Sequence, residues 1–382
     1  MLYFDNAATS YPKPIAVRKA VEEAFVSFGA NPGRSGHRMG METSRAVYEA
    51  REKAAELFGF SKSENIVFTK NCTEALNAVL MSIGSEGGHF IISDLEHNSV
   101  LRPIYELEKR GNIEFSVAEV FESDFEKTVK SFEKLIRKDT KMIVATGSSN
   151  VFGIKLPIKQ LAKLSHEHGI LFVLDAAQIA GSEKIEIEKD GIDFVCAPGH
   201  KGLLGPMGTG ILAAAKPELL KPQLFGGTGS YSLVPEQPSE LPEMLESGTL
   251  NVPGICGLSK GIERIIKTGE KNIEKNENHL AKILYSELSE MKNIKLFTKI
   301  PEKETHSPVI SFVLGDLTGE ETASLLSEKG VASRGGLHCC ALAHQKMNTE
   351  KRGTCRLSIG PMNTENDVLK LIGIIHGISE KY

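Results

Sequence analysis

No run of apolar residues among these 382 positions is long enough to span a bilayer, so a membrane-embedded chain is not expected. The opening Met1-Leu2-Tyr3-Phe4-Asp5 lacks a cationic stretch followed by an apolar core. No secretory leader is therefore read there, and the expected location is cytoplasmic. Charge of one sign is scarce too. Forty-five basic against 49 acidic residues give a formal charge of −4, which leaves no basic footprint for nucleic acid. The six cysteines, Cys72, Cys196, Cys256, Cys339, Cys340 and Cys355, contain no Cys-x-x-Cys pair. A zinc site is thus not expected, and reduced thiols are the default. Internal repeats and low-complexity tracts are also missing, and Lys299-Ile300-Pro301-Glu302-Lys303-Glu304 reads as a solvated loop.

What is present is an alternation of strand-like and helix-like segments. Apolar runs at 66–68, 90–92, 142–145, 171–174, 194–197 and 210–213 are candidate strands. Interleaved with helical patterns, they predict an α/β fold around a mainly parallel sheet. Residues 14–28 read as a helix with proline near its start, and residues 42–58 as an amphipathic helix stopped by Gly59. A long helical pattern over 254–291 leads to a smaller unit, with strands near 308–314 and 354–359 and a closing helix at 365–380. The length exceeds the roughly 100–200 residues of one domain, so two domains are expected.

Two distant segments carry the chemistry. Arg334-Gly335-Gly336-Leu337-His338-Cys339-Cys340 sets two thiols beside a cation and a histidine, surroundings that favour the reactive thiolate. Alone, such a pair reads more readily as small buried hydrophobes. Upstream, the run Phe194-Val195-Cys196-Ala197 ends in Pro198-Gly199-His200-Lys201-Gly202, a lysine in a glycine-flanked turn. The preceding strand-like run ends in Asp175, with Gln178 just beyond. Singly, Asp175 reads as a helix-capping strand end and Lys201 as a surface lysine. Together they are the pair that pyridoxal phosphate chemistry needs, a lysine for the Schiff base and a carboxylate that keeps the pyridine nitrogen protonated.

In this order and spacing the residues resemble the class V aminotransferase family, and within it the cysteine desulfurase and selenocysteine lyase branch. Eight segments carry the likeness beyond the opening Tyr3-Phe4-Asp5-Asn6-Ala7-Ala8-Thr9: Asn71-Cys72-Thr73-Glu74, Glu96-His97-Asn98-Ser99, Ser149-Asn150-Val151-Phe152-Gly153, Asp175-Ala176-Ala177-Gln178, Gly199-His200-Lys201, Ser247-Gly248-Thr249, the cysteine segment, and Thr354-Cys355-Arg356-Leu357-Ser358. The compact Arg-x-Gly-x-His-Cys pattern is similar to the second desulfurase group, whose cysteine sits on a short loop.

The resemblance implies pyridoxal-phosphate fold type I, aspartate aminotransferase-like, with a smaller α+β C-terminal domain. Residues 16–252 would form the cofactor-binding domain and residues 253–382 the small one, with residues 1–15 packed against the latter. It implies that Lys201 is the Schiff-base lysine, that Asp175 meets the pyridinium, that Gln178 meets the phenolic oxygen, and that His97 stacks on the ring and moves protons. Cys72, Thr73 and His200 would lie at the phosphate, where a helix start offers N–H groups and dipole. Thr228 or Thr249 would reach a partner subunit's cofactor, Asn150 would contact the cofactor, and Asn150 and Arg356 would bind the substrate carboxylate. The glycine-rich Phe225-Gly226-Gly227-Thr228-Gly229-Ser230 lacks the strand-to-helix context of a dinucleotide fingerprint and reads as an interface loop.

The implied reaction converts L-cysteine to L-alanine and leaves sulfur as a persulfide on Cys339, the family's nucleophile by position, with Lys201 removing the α-proton. L-Selenocysteine is an alternative substrate, and a sulfur-acceptor protein and a homodimer are implied partners. Another lyase or aminotransferase on the same scaffold, or a non-catalytic sulfur carrier, are the competing readings. Three departures stand out. Pro198 replaces a hydroxyl that many relatives offer the phosphate, Met362 replaces an aromatic, and Cys340 adds a second thiol. If the loop is extended, Cys340 points away from Cys339, because successive side chains alternate there.

Overall fold

The computed structural model describes residues 1–33, 36–230 and 232–381. A two-residue strand β1 (Leu2–Tyr3) precedes helices α1 (Ile15–Ser27) and α2 (Arg38–Leu57). The large unit then alternates β2 (Ile66–Thr69), α3 (Cys72–Gly84), β3 (Gly88–Ser93), α4 (Asn98–Lys109), β4 (Ile113–Ala118), α5 (Phe125–Glu133) and β5 (Thr140–Thr146). It continues through α6 (Ile158–Glu167), β6 (Leu171–Asp175), α7 (Ile187–Asp190), β7 (Phe194–Pro198) and β8 (Gly210–Ala214). Helices α8 (Val252–Thr268) and α9 (Glu270–Ser289) lead to β9 (Ile294–Leu296), β10 (Val309–Leu314), α10 (Gly319–Glu328), β11 (Val331–Ala332) and β12 (Arg334–Gly336). Helix α11 (Ala341–Lys346), β13 (Thr354–Ser358) and α12 (Glu365–Ser379) close the chain.

The large sheet has seven strands in the order β2-β8-β7-β6-β5-β3-β4. Five run parallel from β7 to β4, while β8 is antiparallel to both neighbours. Helices cover both faces, so the central strands are apolar without a break. Alternation along each strand sorts the side chains into two layers. Ile91, Ile143, Phe172, Leu174 and Val195 enter one core, and Phe90, Ile92, Met142, Val144 and Val173 the other.

A four-stranded antiparallel sheet, β12-β13-β10-β9, forms the smaller unit. Phe4, Ile310, Phe312, Leu357, Val368 and Leu371 make its core. The N-terminal strand β1 pairs with β11, tying the start of the chain to this unit.

The pattern over 254–291 is two helices and not one. Gly269 stands between them with φ +79°, outside the right-handed helical region. Helix α8 buries Ile255, Leu258, Ile262 and Ile265 in the core of the large sheet. Helix α9 runs from that core at Ile273 to the small core at Leu280, Leu284 and Leu288. No helix among the described residues is long and apolar enough to cross a membrane.

Candidate active site

Parallel strands deliver their side chains to one edge, and the crevice outside their carboxyl ends is where open α/β sheets hold ligands. A cavity of about 170 Å³ lies there, lined by Asn71, Cys72, Thr73, His97, Ser99, Thr146, Asn150, Asp175, Ala177, Gln178, Pro198, His200 and Lys201. Residues from the ends of β2, β3, β5, β6 and β7 thus meet at one place.

Asp175 ends β6 and is almost wholly buried. Its Oδ1 accepts from the Ala177 amide at 2.9 Å and from the Cys72 thiol at 3.5 Å. Burial nevertheless pushes the carboxyl's pKa up. Lys201 follows β7 in a turn closed by the Leu204 N–H donating to the Lys201 carbonyl at 2.9 Å. Burial lowers its ammonium pKa, against the pull of Asp175 and with help from Arg356 and Arg334. The shift favours the neutral amine, which is the nucleophilic form.

His97 caps α4. Its Nδ1 accepts from the Ser99 amide at 3.0 Å and lies 2.7 Å from the Ser99 hydroxyl. That acceptance puts the ring proton on Nε2. Burial, with the cations Lys201, Arg334, Arg102 and Arg356 nearby, holds His97 neutral with a pKa of about 4. The Ser99 hydroxyl also lies 2.9 Å from the Thr73 hydroxyl, so His97, Ser99 and Thr73 form one chain along the cavity wall. Asn71 caps α3 through the Glu74 amide, while the amides of Cys72 and Thr73 have no helical acceptor.

His200 has its Nδ1 buried without a partner among the described residues, and burial beside Lys201 and Lys13 lowers its pKa to about 4. Gln178 donates to the Ala7 carbonyl at 3.2 Å, which draws the opening segment to the cavity.

Arg356 is 1% exposed in the middle of β13. Its guanidinium donates to the Asn150 carbonyl at 2.8 Å and to Asp5 Oδ1 at 2.7 Å, and its Nε has no partner among the described residues. Asn150 in turn donates from Nδ2 to the His338 carbonyl at 2.8 Å, and its own Oδ1 is buried and unpaired among the described residues.

Cys339 is exposed and Cys340 is buried. The segment that carries them is not extended. His338 and Cys339 both take left-handed backbone, φ 51° and 56°. The condition for strand alternation therefore fails, and it is a left-handed turn that separates exposed Cys339 from buried Cys340. The Cys339 carbonyl accepts from the Asn98 amide at 2.9 Å, one residue from His97.

Thr228 and Thr249 lie outside the cavity. Each lines a separate depression, Thr228 with Gly226, Gly229 and Gln237, Thr249 with Lys70, Glu74 and Asn251. Asp5 and Ser99 belong to the constellation, although sequence reasoning gives neither a role. Both stand inside quoted segments, which is the signal that was available. Among the described residues, no group of three or more His, Cys, Asp or Glu side chains is placed to hold a metal ion.

The model of the family described as Aminotransferase class-V matches residues 2–371. A probable cysteine desulfurase of Methanothermobacter thermautotrophicus is 31% identical, covering 97% of this chain and 93% of the relative. Another of Pyrococcus abyssi is 32% identical, over 98% and 93%. Among solved structures, an apo cysteine desulfurase of Thermococcus onnurineus superposes with a TM-score of 0.92 at 30% identity, covering all of this chain and 95% of that one.

Proposed function

The chain belongs to the class-V aminotransferase family, and from that membership we propose that it is a cysteine desulfurase, converting L-cysteine to L-alanine with transfer of the sulfur to Cys339. The observation that carries this reading is the meeting of buried Lys201 and Asp175 with His97 in one cavity, while the exposed Cys339, outside the lining, is tied by its carbonyl to the amide of the residue after His97.

Pyridoxal 5'-phosphate fits the residues present. The unpartnered buried atoms His200 Nδ1 and Asn150 Oδ1 belong to the lining, and the amides of Cys72 and Thr73 open α3 toward a phosphate. Lys201 would hold the cofactor covalently through Nζ, with Asp175 at the ring nitrogen, Gln178 at the phenolic oxygen and His97 at the ring. Thr73 and His200 would meet the phosphate, and the Ser99 hydroxyl, bonded to Thr73, would be the nearest replacement for the one Pro198 lacks. When bound, the group acts as a sink for the electrons of the substrate's Cα–H bond.

Arg356 receives the substrate carboxylate as a charge-assisted partner, oriented by Asp5 and the Asn150 carbonyl. Lys201 Nζ, as a neutral amine, would remove the substrate's Cα proton. His97, neutral and protonated on Nε2, donates into the cavity. Cys339 Sγ, as thiolate, attacks the substrate sulfur. An S–S bond forms, the Cβ–S bond breaks with its electron pair left on carbon, and a proton equivalent to the one Cys339 lost completes the methyl group of alanine.

Exposure of Cys339 suits delivery of the persulfide to an acceptor thiol on a sulfur-carrying protein. Thr228 and Thr249, remote from their own cavity, suit contact with the cofactor of a second copy in a homodimer. Six unpaired thiols suit the reducing cytoplasm. The test is to incubate purified protein with pyridoxal phosphate, L-cysteine and dithiothreitol. Equal yields of alanine and sulfide are expected, and alanine without sulfide, or neither product, would overturn the reading.

A further inference from the structure

We propose that Cys340 is a positioning residue, a thiol clamp that fixes Cys339 against the turn carrying His97, and not a second sulfur carrier. The inference rests on the desulfurase reading for its kinetic arm only.

Cys340 Sγ lies 3.4 Å from the Leu95 carbonyl and 3.3 Å from the Glu96 carbonyl, so its S–H donates to the two residues just ahead of His97. One residue back, the Cys339 carbonyl accepts from the Asn98 amide. Two residues back, the His338 carbonyl accepts from Asn150 Nδ2. Three consecutive residues are therefore each bonded to an element of the cavity wall, and Cys340 binds on the side of His97. The Cys340 amide also donates to the Leu337 carbonyl at 3.0 Å, closing the left-handed turn on itself. Thr146 and Ser93 bond the Glu96 carboxyl, which anchors the receiving turn to the sheet.

The surroundings suit a held thiol and oppose a reactive one. Cys340 is 1% exposed, and its sulfur faces two carbonyl oxygens, which repel a thiolate, with the Ala343 amide as the one opposing contact among the described residues. Burial, with Glu96 nearby, pushes its pKa up to about 12. A persulfide there would have to displace both carbonyl contacts in a site with no room at the surface. Cys339, on the same turn, is exposed. The two adjacent thiols thus divide the work, one reacting and the other holding.

Cys340→Ala and Cys340→Ser separate the clamp from mere packing. A serine hydroxyl donates to carbonyls; an alanine methyl does not. A nucleophile displaced by a fraction of an ångström loses rate and not substrate affinity, so kcat of Cys340→Ala should fall about tenfold with KM for L-cysteine within about twofold of wild type. Cys340→Ser should recover most of that loss. Independently of catalysis, hydrogen exchange of the Asn98 amide should quicken in Cys340→Ala and return toward wild type in Cys340→Ser. Mass spectrometry after one turnover should find the extra sulfur on Cys339. Unchanged kcat and exchange in Cys340→Ala, a serine variant no better than the alanine one, or persulfide on Cys340 would each sink the proposal. If wild-type protein makes no alanine from cysteine, the desulfurase reading falls alone, and the exchange comparison still decides the clamp.

Discussion

Arg356 is the residue on which most of the site's polar geometry converges. It touches Asp5 from the opening segment and Asn150 from the large unit, and Asn150 holds the His338 carbonyl. Truncating it to alanine removes a charge-assisted partner contributing roughly 1.5–3 kcal/mol, so KM for L-cysteine should rise by about one to two orders of magnitude in steady-state assays. Arg356→Lys should not restore it, because a point ammonium cannot bond Asp5, Asn150 and a carboxylate together. An unaltered KM in Arg356→Ala would refute the substrate role. For the nucleophile, Cys339→Ala should still bind pyridoxal phosphate, seen as visible absorbance, and yield almost no alanine from cysteine. Near-normal alanine formation in that variant would return the lyase and aminotransferase readings to the front.

The turn between β7 and β8 sets Lys201, and its glycines leave little freedom to change it. A Cβ on Gly202 would lie 2.2 Å from the Ala180 carbonyl oxygen, backbone that cannot yield as a side-chain tip can. Gly202→Ala should lower the melting temperature, since forced overpacking costs about 1–3 kcal/mol, and should weaken pyridoxal phosphate binding in an absorbance titration. Elements of this kind differ in how legible they are beforehand. The buried strands β5, β6, β7 and β8 show in the sequence because their central residues, 142–145, 171–174, 194–197 and 210–213, are apolar on both faces. The edge strand β4 does not, since Glu114 and Val117 are exposed and its pattern fades. The break at Gly269 is hidden because apolar residues continue on either side of it, from Ile265 to Ile273. At the site, Lys201 and Asp175 are legible through order and spacing. Asp5 is not, because its ion pair with Arg356 spans 351 positions and appears only on folding. The turn at His338 and Cys339 is nearly silent, since left-handed backbone is uncommon even for histidine, which is enriched there, and cysteine is not enriched.

The molecule as a whole carries buried ionisable groups that pull its stability in opposite directions with pH. His97, His200 and His344 have pKa values lowered to about 4 and His338 to about 3, chiefly by burial. The unfolded chain binds these protons first, so stability is full above about pH 6.5 and is lost as pH falls from there toward 4. Glu96 and Glu277 are raised to about 8 by burial. Their contribution is full below about pH 4.5 and is lost as pH climbs toward 8. With the buried histidines on one limb and the raised carboxyls, Asp175 and Glu183 among them, on the other, the melting temperature of the cofactor-free protein should pass through a maximum between about pH 4 and pH 8. Glu277→Gln should flatten the alkaline side, and a profile that rises steadily through pH 8 would contradict this. The backbone at the nucleophile adds a different cost. Cys339 sits in left-handed backbone that a side chain occupies at a penalty of roughly 1–2 kcal/mol and that glycine occupies freely. Activity is thus bought with conformational strain, and Cys339→Gly should be both inert and more heat-resistant than wild type, with Cys339→Ala inert and no more resistant. The folded state would then gain by losing the one sulfur atom for which the rest of the site is arranged.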